Sequence, residues 1–421
     1  MSSQSQLGGR RLLVLDTSYT LEMIRARKLE TSVTCRDLDG FFEHVWSVHP
    51  FSTLLTSEQW IPRFGQASTN ELSRRHTFIE GKVGRYKLLR KFFTLNFILS
   101  QFSLFVLLLR LIRRERISVI RVSSPLYVGL FGWLLSRLTE IPLVVRVGGN
   151  HDKVFETTGR PIEPRLMRSR RIEKIVERFV FRRAALIAAA NQDNLDFAIA
   201  NGAVLERTTL FRYGNLLDPS HLAEPARRVI DQPYLDELGV GRGAFLLYVG
   251  RLEPVKHPDH VLEVLARVRS RGIIVKAVLA GEGSMRDELM RLSQRLGLDQ
   301  AVVMPGNVSQ DRLAQLYAAA GAVISPHTGR ALSEAAFAAA PIVAYDVDWQ
   351  SELIADGITG ILVPNEEVGL LTDGVVRLLV DRESALQFGA AVRDRAWEML
   401  DPERLNAHER ATYDRLLEAC Q

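Results

Sequence analysis

A chain of 421 residues, 47% hydrophobic and 24% charged, has the length for two or three domains and the balance of a globular protein, which excludes disordered and fibrous classes. Its two cysteines, Cys35 and Cys420, lie at opposite ends without metal-like or redox spacing, which excludes a disulfide framework and points to a reducing compartment. The net charge of +5 hides an asymmetry: residues 1–214 hold 33 basic and 19 acidic side chains, a net of +14, and the remainder carries −9. A basic half suggests attraction to polyanions such as a membrane surface, but no nucleic-acid-binding motif accompanies it, so no nucleic acid is expected as a partner.

In chain order, the opening MSSQSQLGGRRLLVLD does not read as a signal peptide, because its apolar run is short and continues into a first strand, Arg11 to Leu15. The loop after it, Asp16 to Thr20, lies where open α/β sheets bind ligands, which makes Thr17, Ser18 and Tyr19 candidate contacts. Residues 31–80 read as irregular. Their His44, Trp46, His49, Trp60 and His76 show no metal spacing, and the histidines read as structural. Residues 86–112 are apolar and flanked by Arg85, Lys87, Arg90, Lys91, Arg110, Arg113, Arg114 and Arg116. The run 92–109 is long enough to span a membrane. Asn96, Ser100, Gln101 and Ser103 within it, and the strand Ser118 to Val122 after it, favour a helix packed on a sheet; peripheral membrane contact stays open.

A helix follows over Pro125–Thr139, then a strand over Pro142–Val147 that ends in Gly148-Gly149-Asn150-His151-Asp152. Glycines at a strand end allow close backbone approach to a ligand, so Gly148, Gly149, Asn150 and His151 are site candidates. The competing reading of His151 is a loop histidine or a cap partner. Residues 160–183 are arginine-rich and read as a basic helix with a solvated face. The segment from Arg212 to Pro219, punctuated by Gly214 and Pro219, reads as a crossing between domains.

From Phe245 onward strands and helices alternate, which predicts a parallel sheet with right-handed crossovers. The strand from Phe245 ends at Gly250, and the loop beyond it carries Arg251 and Lys256. Arginine offers phosphate oxygens a planar fork and lysine a point charge, so the pair suits a diphosphate. Further on, a strand over Ala322–Ile324 runs through Pro326, His327, Thr328, Gly329 and Arg330 into a helix that carries Leu332 and Glu334; the strand Ile342–Tyr345 follows. A strand emptying into a helix N-terminus is a natural anion site, because free N–H groups and the helix dipole point outward there. Glu334, read as a first-turn acid, either accepts hydrogen bonds from a sugar or merely favours its own helix dipole.

The segment from about Phe245 to Pro364 resembles the C-terminal domain of the family 4 glycosyltransferases, retaining enzymes of GT-B architecture. The pieces that carry the resemblance are Gly250-Arg251-Leu252-Glu253-Pro254-Val255-Lys256, Ala280-Gly281-Glu282-Gly283, Pro305-Gly306-Asn307-Val308, Leu332-Ser333-Glu334-Ala335, and Glu352 to Gly357 with Gly360 to Pro364. One departure stands out. The family carries two glutamates separated by seven residues; with Glu334 as the second, the first falls at Pro326, and His327 and Thr328 occupy its neighbourhood.

The resemblance implies an α/β fold of two Rossmann-like domains with parallel sheets facing a central cleft. The expected division is an acceptor-side domain over 1–214, a nucleotide-sugar domain over 215–393, and a C-terminal helix over 394–421 returning to the first domain. It implies a UDP- or GDP-linked sugar as donor, a glycan or lipid-linked acceptor, no cofactor, and a cytoplasmic enzyme, peripheral on the cytoplasmic face of the membrane if the basic half meets lipid. Arg251 and Lys256 would neutralise the diphosphate, Arg330 and the helix from Gly329 would assist, Glu334 would hold the ribose, and Gly306, Asn307 and Val308 would read the base. His327 and Thr328 would face the donor sugar, as would His151. No Asp-x-Asp pair is read as a metal site, so no metal ligands are assigned. The leaving phosphate itself would take the acceptor's proton. Two rivals remain: an epimerase of nucleotide sugars using Asp16 and His151, and a catalytically degenerate nucleotide-sugar-binding protein.

Overall fold

Runs such as Leu12–Leu15 and Phe245–Tyr248 are buried on both faces, the signature of central strands in a parallel sheet covered by helices. The computed structural model describes residues 9–26, 29–53, 61–213 and 217–419. It divides into two units, one running to Arg212 and resuming at Glu403, the other covering Tyr213–Pro402. Trp60, Gly214 and Cys420 lie outside the described residues.

The first unit holds strands β1 (Arg11–Leu15), β2 (His44–His49), β3 (Ser68–Ser73), β4 (His76–Glu80), β5 (Val119–Val122), β6 (Leu143–Val147), β7 (Leu186–Ala189) and β8 (Thr208–Leu210). Its helices are α1 (Leu21–Ala26), α2 (Glu30–Thr34), α3 (Phe93–Glu115), α4 (Tyr127–Thr139), α5 (His151–Thr158), α6 (Arg170–Phe181) and α7 (Gln192–Ala200). The sheet order is β3-β4-β2-β1-β5-β6-β7-β8, parallel except for β3 against β4. The second unit holds α8 (Pro219–Leu222), α9 (Gln232–Glu237), β9 (Phe245–Val249), α10 (Pro258–Ser270), β10 (Lys276–Ala280), α11 (Arg286–Arg295), β11 (Val302–Gly306) and α12 (Gln310–Ala319). It continues through β12 (Ala322–Ser325), α13 (Arg330–Phe337), β13 (Ile342–Tyr345), α14 (Gln350–Leu353), β14 (Ile361–Val363), α15 (Val368–Val380) and α16 (Arg382–Leu400). Its order, β11-β10-β9-β12-β13-β14, is wholly parallel.

The last helix, α17 (Pro402–Glu418), packs within the first unit. Tyr413 sits against Phe42 and Phe211, with ring centroids 5.2 and 5.7 Å away. Glu409 takes a bond of 3.1 Å from the buried Arg121 on β5. The expected boundary near residue 394 falls inside α16, which runs unbroken to Leu400.

Two local expectations are corrected. Residues 31–80 are not irregular: they contain α2, β2, β3 and β4. β3 (STNELS) is an edge strand with half-exposed polar side chains, so it lacks the apolar signal that marks a buried strand. The histidines here are strand residues: His76 Nε2 pairs with Ser47 Oγ at 2.8 Å, and His49 Nδ1 accepts from the Phe51 and Ser52 amides. The basic stretch 160–183 is helical only over α6, and Arg170 is buried rather than solvated, bonding Glu177 through both terminal nitrogens at 2.7 and 2.8 Å. A guanidinium leaves water when carboxylates enclose it.

Candidate active site

In the second unit, sequence order along the sheet runs 3-2-1-4-5-6, so the order reverses between β9 and β12. Loops leaving adjacent strands diverge at such a reversal and open a crevice at the carboxyl edge. The loop after β9 carries Gly250, Arg251 and Lys256; the loop after β12 carries Pro326 to Gly329. The structure brings these two loops into contact. Lys256 Nζ donates to Thr328 O at 2.6 Å and to His327 Nδ1 at 3.0 Å. Two of its three N–H bonds are thus spent on the neighbouring loop, and one is left.

The same contact sets the charges. Burial, then the nearby Arg251, lowers the Lys256 ammonium to about 8. Burial and Lys256 lower His327 to about 4, so at neutral pH its ring is uncharged. Nδ1 also lies 3.2 Å from Thr328 O, but an ammonium only donates, so in the shorter Lys256 contact Nδ1 accepts and the proton sits on Nε2. Thr328 Oγ1 is buried and has no hydrogen-bond partner among the described residues. An orphaned buried hydroxyl costs about 1–3 kcal/mol, which a ligand would recover.

Backbone proximity holds the loops. The Gly250 amide bonds Ala280 O at 3.0 Å, the Leu252 amide bonds Glu282 O at 3.0 Å, and the Gly281 amide bonds Gly306 O at 2.9 Å. A Cβ on Gly281, at φ +149°, would collide with the Gly250 carbonyl, and one on Gly283 with the Leu252 carbonyl. The Gly281-Glu282-Gly283 signature is therefore a packing requirement of three converging strand ends. Gly306 ends β11 at φ +77°, turning the chain into exposed Asn307 and half-buried Val308.

The helix α13 opens beyond Gly329, whose Cβ position faces open space. Glu334 is not a first-turn acid: it is the fifth residue of α13 and 4% exposed. Its Oε2 accepts from the buried Tyr317 hydroxyl at 3.1 Å, and Arg330 Nε stands 3.9 Å from Oε1. Burial, then the Glu334 carboxylate, drives the Tyr317 phenol far above its ordinary range, so it stays a donor. A carboxylate this deep has lost water and is positioned by protein groups, which a dipole-favouring surface acid would not be. Leu332 is a core residue whose amide bonds Gly329 O at 3.2 Å. Arg251 is exposed, and its carbonyl accepts from Tyr248.

In the first unit, Thr17, Ser18 and Tyr19 follow β1, and Gly148, Gly149 and Asn150 follow β6. Both groups lie on the carboxyl edge of one parallel sheet, with β5 between their strands. Asp16 is buried, which would raise its carboxyl, yet Arg36 and the Ser18 amide hold it at about 2. Asn150 caps α5, accepting from the Asp152 and Lys153 amides. His151 is committed to the scaffold: Nδ1 meets Glu177 Oε1 at 2.6 Å, and Arg170 clamps that same carboxylate. Burial opposes its charge, but these two partners hold Glu177 below the usual carboxylate range.

Two residues near the site carried no sequence signal. Tyr317 sits on an apolar helix face and reads as core. Gln350 is fully buried and ties the end of β12 to that of β13, through Ser325 Oγ at 2.6 Å and Tyr345 O at 2.7 Å. A lone glutamine in a polar loop has no spacing to find it by.

Comparison with known proteins matches the chain twice. Residues 237–395 match the family described as glycosyl transferases group 1, and residues 24–214 match the glycosyl transferase 4-like domain. Among curated proteins, an alpha-D-kanosaminyltransferase of Streptomyces kanamyceticus is 27% identical over 266 residues, covering 60% of this chain and 65% of that protein. The D-inositol 3-phosphate glycosyltransferase of Mycobacterium tuberculosis is 31% identical over 217 residues, 45% of each chain. The chain thus spans less than two thirds of either relative. Among solved structures, Anabaena HepE has a TM-score of 0.69 at 19% identity, covering 96% of this chain and all of that one. Sucrose-phosphate synthase from Thermosynechococcus elongatus has a TM-score of 0.69 at 17% identity, covering 97% and 100%. These likenesses show the fold, two parallel-sheet α/β domains of GT-B type. With one family match on each unit in chain order, the chain belongs to the GT-B glycosyltransferases of group 1 and the family 4 type.

Proposed function

We propose that the protein is a retaining hexosyltransferase that moves a sugar from a UDP- or GDP-sugar to a glycan or lipid-linked acceptor in polysaccharide or glycolipid synthesis. The observation that carries this reading is the Lys256–His327–Thr328 cluster at the sheet reversal. It offers one free ammonium N–H, an Nε2–H donor and an unpartnered hydroxyl beside the opening of α13. Lys256 and Arg251, with Arg330 and the α13 amides, stabilise the diphosphate as it departs. A bound diphosphate also restores full protonation to Lys256, because its charge favours the ammonium. Glu334 accepts the ribose hydroxyls, Gly306 to Val308 contact the base, and His327 Nε2–H meets the donor sugar in place of the family's first glutamate. The departing phosphate oxygen takes the acceptor's proton, so no side-chain nucleophile is needed. Thr17 to Tyr19 and Gly148 to Asn150 contribute acceptor contacts. HepE was solved with UDP and with UDP-glucose, which supports trying uridine donors first. The epimerase reading would call on Asp16 and His151, and both are already paired, with Arg36 and Glu177.

One helix among the described residues, α3, is long and apolar enough to cross a membrane, with a window of mean hydropathy 2.0 that is 39% buried. Its Asn96, Ser100 and Gln101 face inward: Asn96 Oδ1 accepts the Arg85 and Tyr86 amides at 2.7 and 2.9 Å, and Ser100 donates to Lys82 O at 2.6 Å. Its outward face and approach are apolar: Leu88, Phe92, Leu95, Ile98 and Phe102 are exposed, Leu88 at 96%. Lys87, Arg90, Lys91 and Arg110 lie along this stretch. That arrangement supports peripheral binding to the anionic cytoplasmic face of a membrane. Isothermal titration with nucleotide sugars, followed by NMR of the product anomer, tests the transfer reading. Binding without transfer or hydrolysis favours the degenerate rival, and an inverted anomer overturns retention. Flotation with vesicles should capture the protein on anionic lipid, not on neutral lipid, and release it as salt rises.

A further inference from the structure

His257, Asp259 and His260 open α10, directly after Lys256. His257 is the N-cap residue at φ +47°, and Asp259 and His260 are the second and third residues of the helix. All three are half-buried, and their ligand atoms lie within 4.8 Å of one another. The two imidazoles lie side by side, with ring centroids 4.7 Å apart and planes 29° apart. Tetrahedral coordination at about 2.0–2.1 Å places ligand atoms roughly 3.4 Å apart, so modest side-chain rotation closes the set.

A second contact points the same way. His260 Nδ1 is held at 3.0 Å by the hydroxyl of Tyr345, a fully buried residue of β13. Histidine ligands of metals almost always spend their second nitrogen on such a partner, which fixes the ring and presents the other nitrogen. Here ligation falls to Nε2. Two imidazoles and one carboxylate suit a borderline divalent ion with an open fourth position, and not magnesium or calcium, which take oxygen.

We infer that His257, Asp259 and His260 form a binding site for one divalent transition metal ion, with zinc as the best fit, and that Tyr345 orients His260 within it. The ion would pin the turn that carries Lys256, so the site flanks the proposed diphosphate loop without belonging to it. No electron transfer or bond to substrate is involved.

The test uses full-length protein stripped with chelator. Titration with zinc chloride should give one ion per chain, and cobalt should give the visible absorption of a four- or five-coordinate site. His257→Ala, Asp259→Asn and His260→Ala should each weaken zinc binding more than tenfold. Tyr345→Phe should weaken it about tenfold by removing the orienting hydroxyl. Circular dichroism of the metal-free variants separates lost ligation from lost folding, and the milder His257→Gln and Tyr345→Phe changes serve where alanine does not fold. Cys35→Ser and His408→Ala, both in the first unit, should leave the titration unchanged. Zinc binding that survives in His257→Ala and His260→Ala, or that follows Cys35 or His408 instead, overturns the site. So does wild-type protein that takes up no ion at micromolar zinc.

Discussion

At the scale of single residues, the candidate site is a set of polar groups held by one another. Lys256 already spends two bonds on His327 and Thr328. Lys256→Ala therefore unties two loops and takes away the proposed phosphate contact, and donor kcat/KM should fall by 10²–10³, the loss expected for about 3–4 kcal/mol of leaving-group stabilisation. Arg251→Ala should fall less, because its exposed guanidinium works in water. Steady-state kinetics on folded variants decide it; near wild-type transfer in Lys256→Ala would remove it from the mechanism. Glu334→Gln keeps an oxygen for the Tyr317 hydroxyl but weakens acceptance from ribose. Nucleotide affinity should drop about tenfold at unchanged melting temperature, and unchanged affinity would return Glu334 to a structural role. His327→Ala should alter the preference among donor sugars more than the affinity for the nucleoside diphosphate. Of these residues, Arg251, Lys256, His327 and Glu334 were legible from strand-end position and motif spacing. Tyr317 and Gln350 were not, because a partner 17 or 25 residues away leaves no local pattern.

At the scale of elements, strand ends carry the site and backbone contact carries the strand ends. Gly281→Ala should cost about 1–3 kcal/mol for its backbone angle alone, and more for the collision with the Gly250 carbonyl. Thermal melting should show the loss, and nucleotide titration should show weakened binding in whatever remains folded. In the first unit, α17 is held by a buried ion pair. Glu409→Ala strands the Arg121 guanidinium and should destabilise the unit by about 3–5 kcal/mol, whereas Arg121→Met with Glu409→Leu should recover most of that loss. Urea titration of the three proteins checks this; equal losses in the single and double variants would mean that the pair itself stabilises the unit and that the loss does not come from a stranded charge. The strands of the second unit were readable because each is a continuous apolar run bounded by glycine or a polar loop. β3 was not, since an edge strand with polar faces looks like a loop in one dimension.

At the scale of the whole molecule, the first unit should lose stability on acidification. Burial holds His49 near 4 and His76 near 3, against an ordinary value of 6.5. Below pH 6.5 the unfolded chain takes up protons that the folded one refuses, so their contribution is full above 6.5 and is lost as pH falls through 4 and then 3. Glu163 acts oppositely: burial, then the neighbouring Glu173 and Glu177, raises it to about 7, so its contribution is full below 4.5 and lost as pH rises to 7. Each proton of difference changes stability by about 1.4 kcal/mol per pH unit. Between pH 6.5 and 4.5 the two histidines outweigh the one carboxyl, and below 4.5 they act unopposed. Amide exchange in β2 and β4 should accelerate on acidification once corrected for intrinsic rates, and Glu163→Gln should steepen the change between 4.5 and 6.5. A flat profile would mean that both histidines ionise in the folded state. The sequence by itself determined the α/β class, the two-part organisation with its opposed charges, and the cations at particular strand ends, because apolar runs, glycine punctuation and charge are written locally. Only the tertiary structure decided which strand ends meet, that His151 belongs to a scaffold network, that Glu334 is buried against Tyr317, and that α3 turns its polar side inward. Those outcomes depend on sheet order and on the direction each side chain takes, and both are fixed by contacts far apart in the chain.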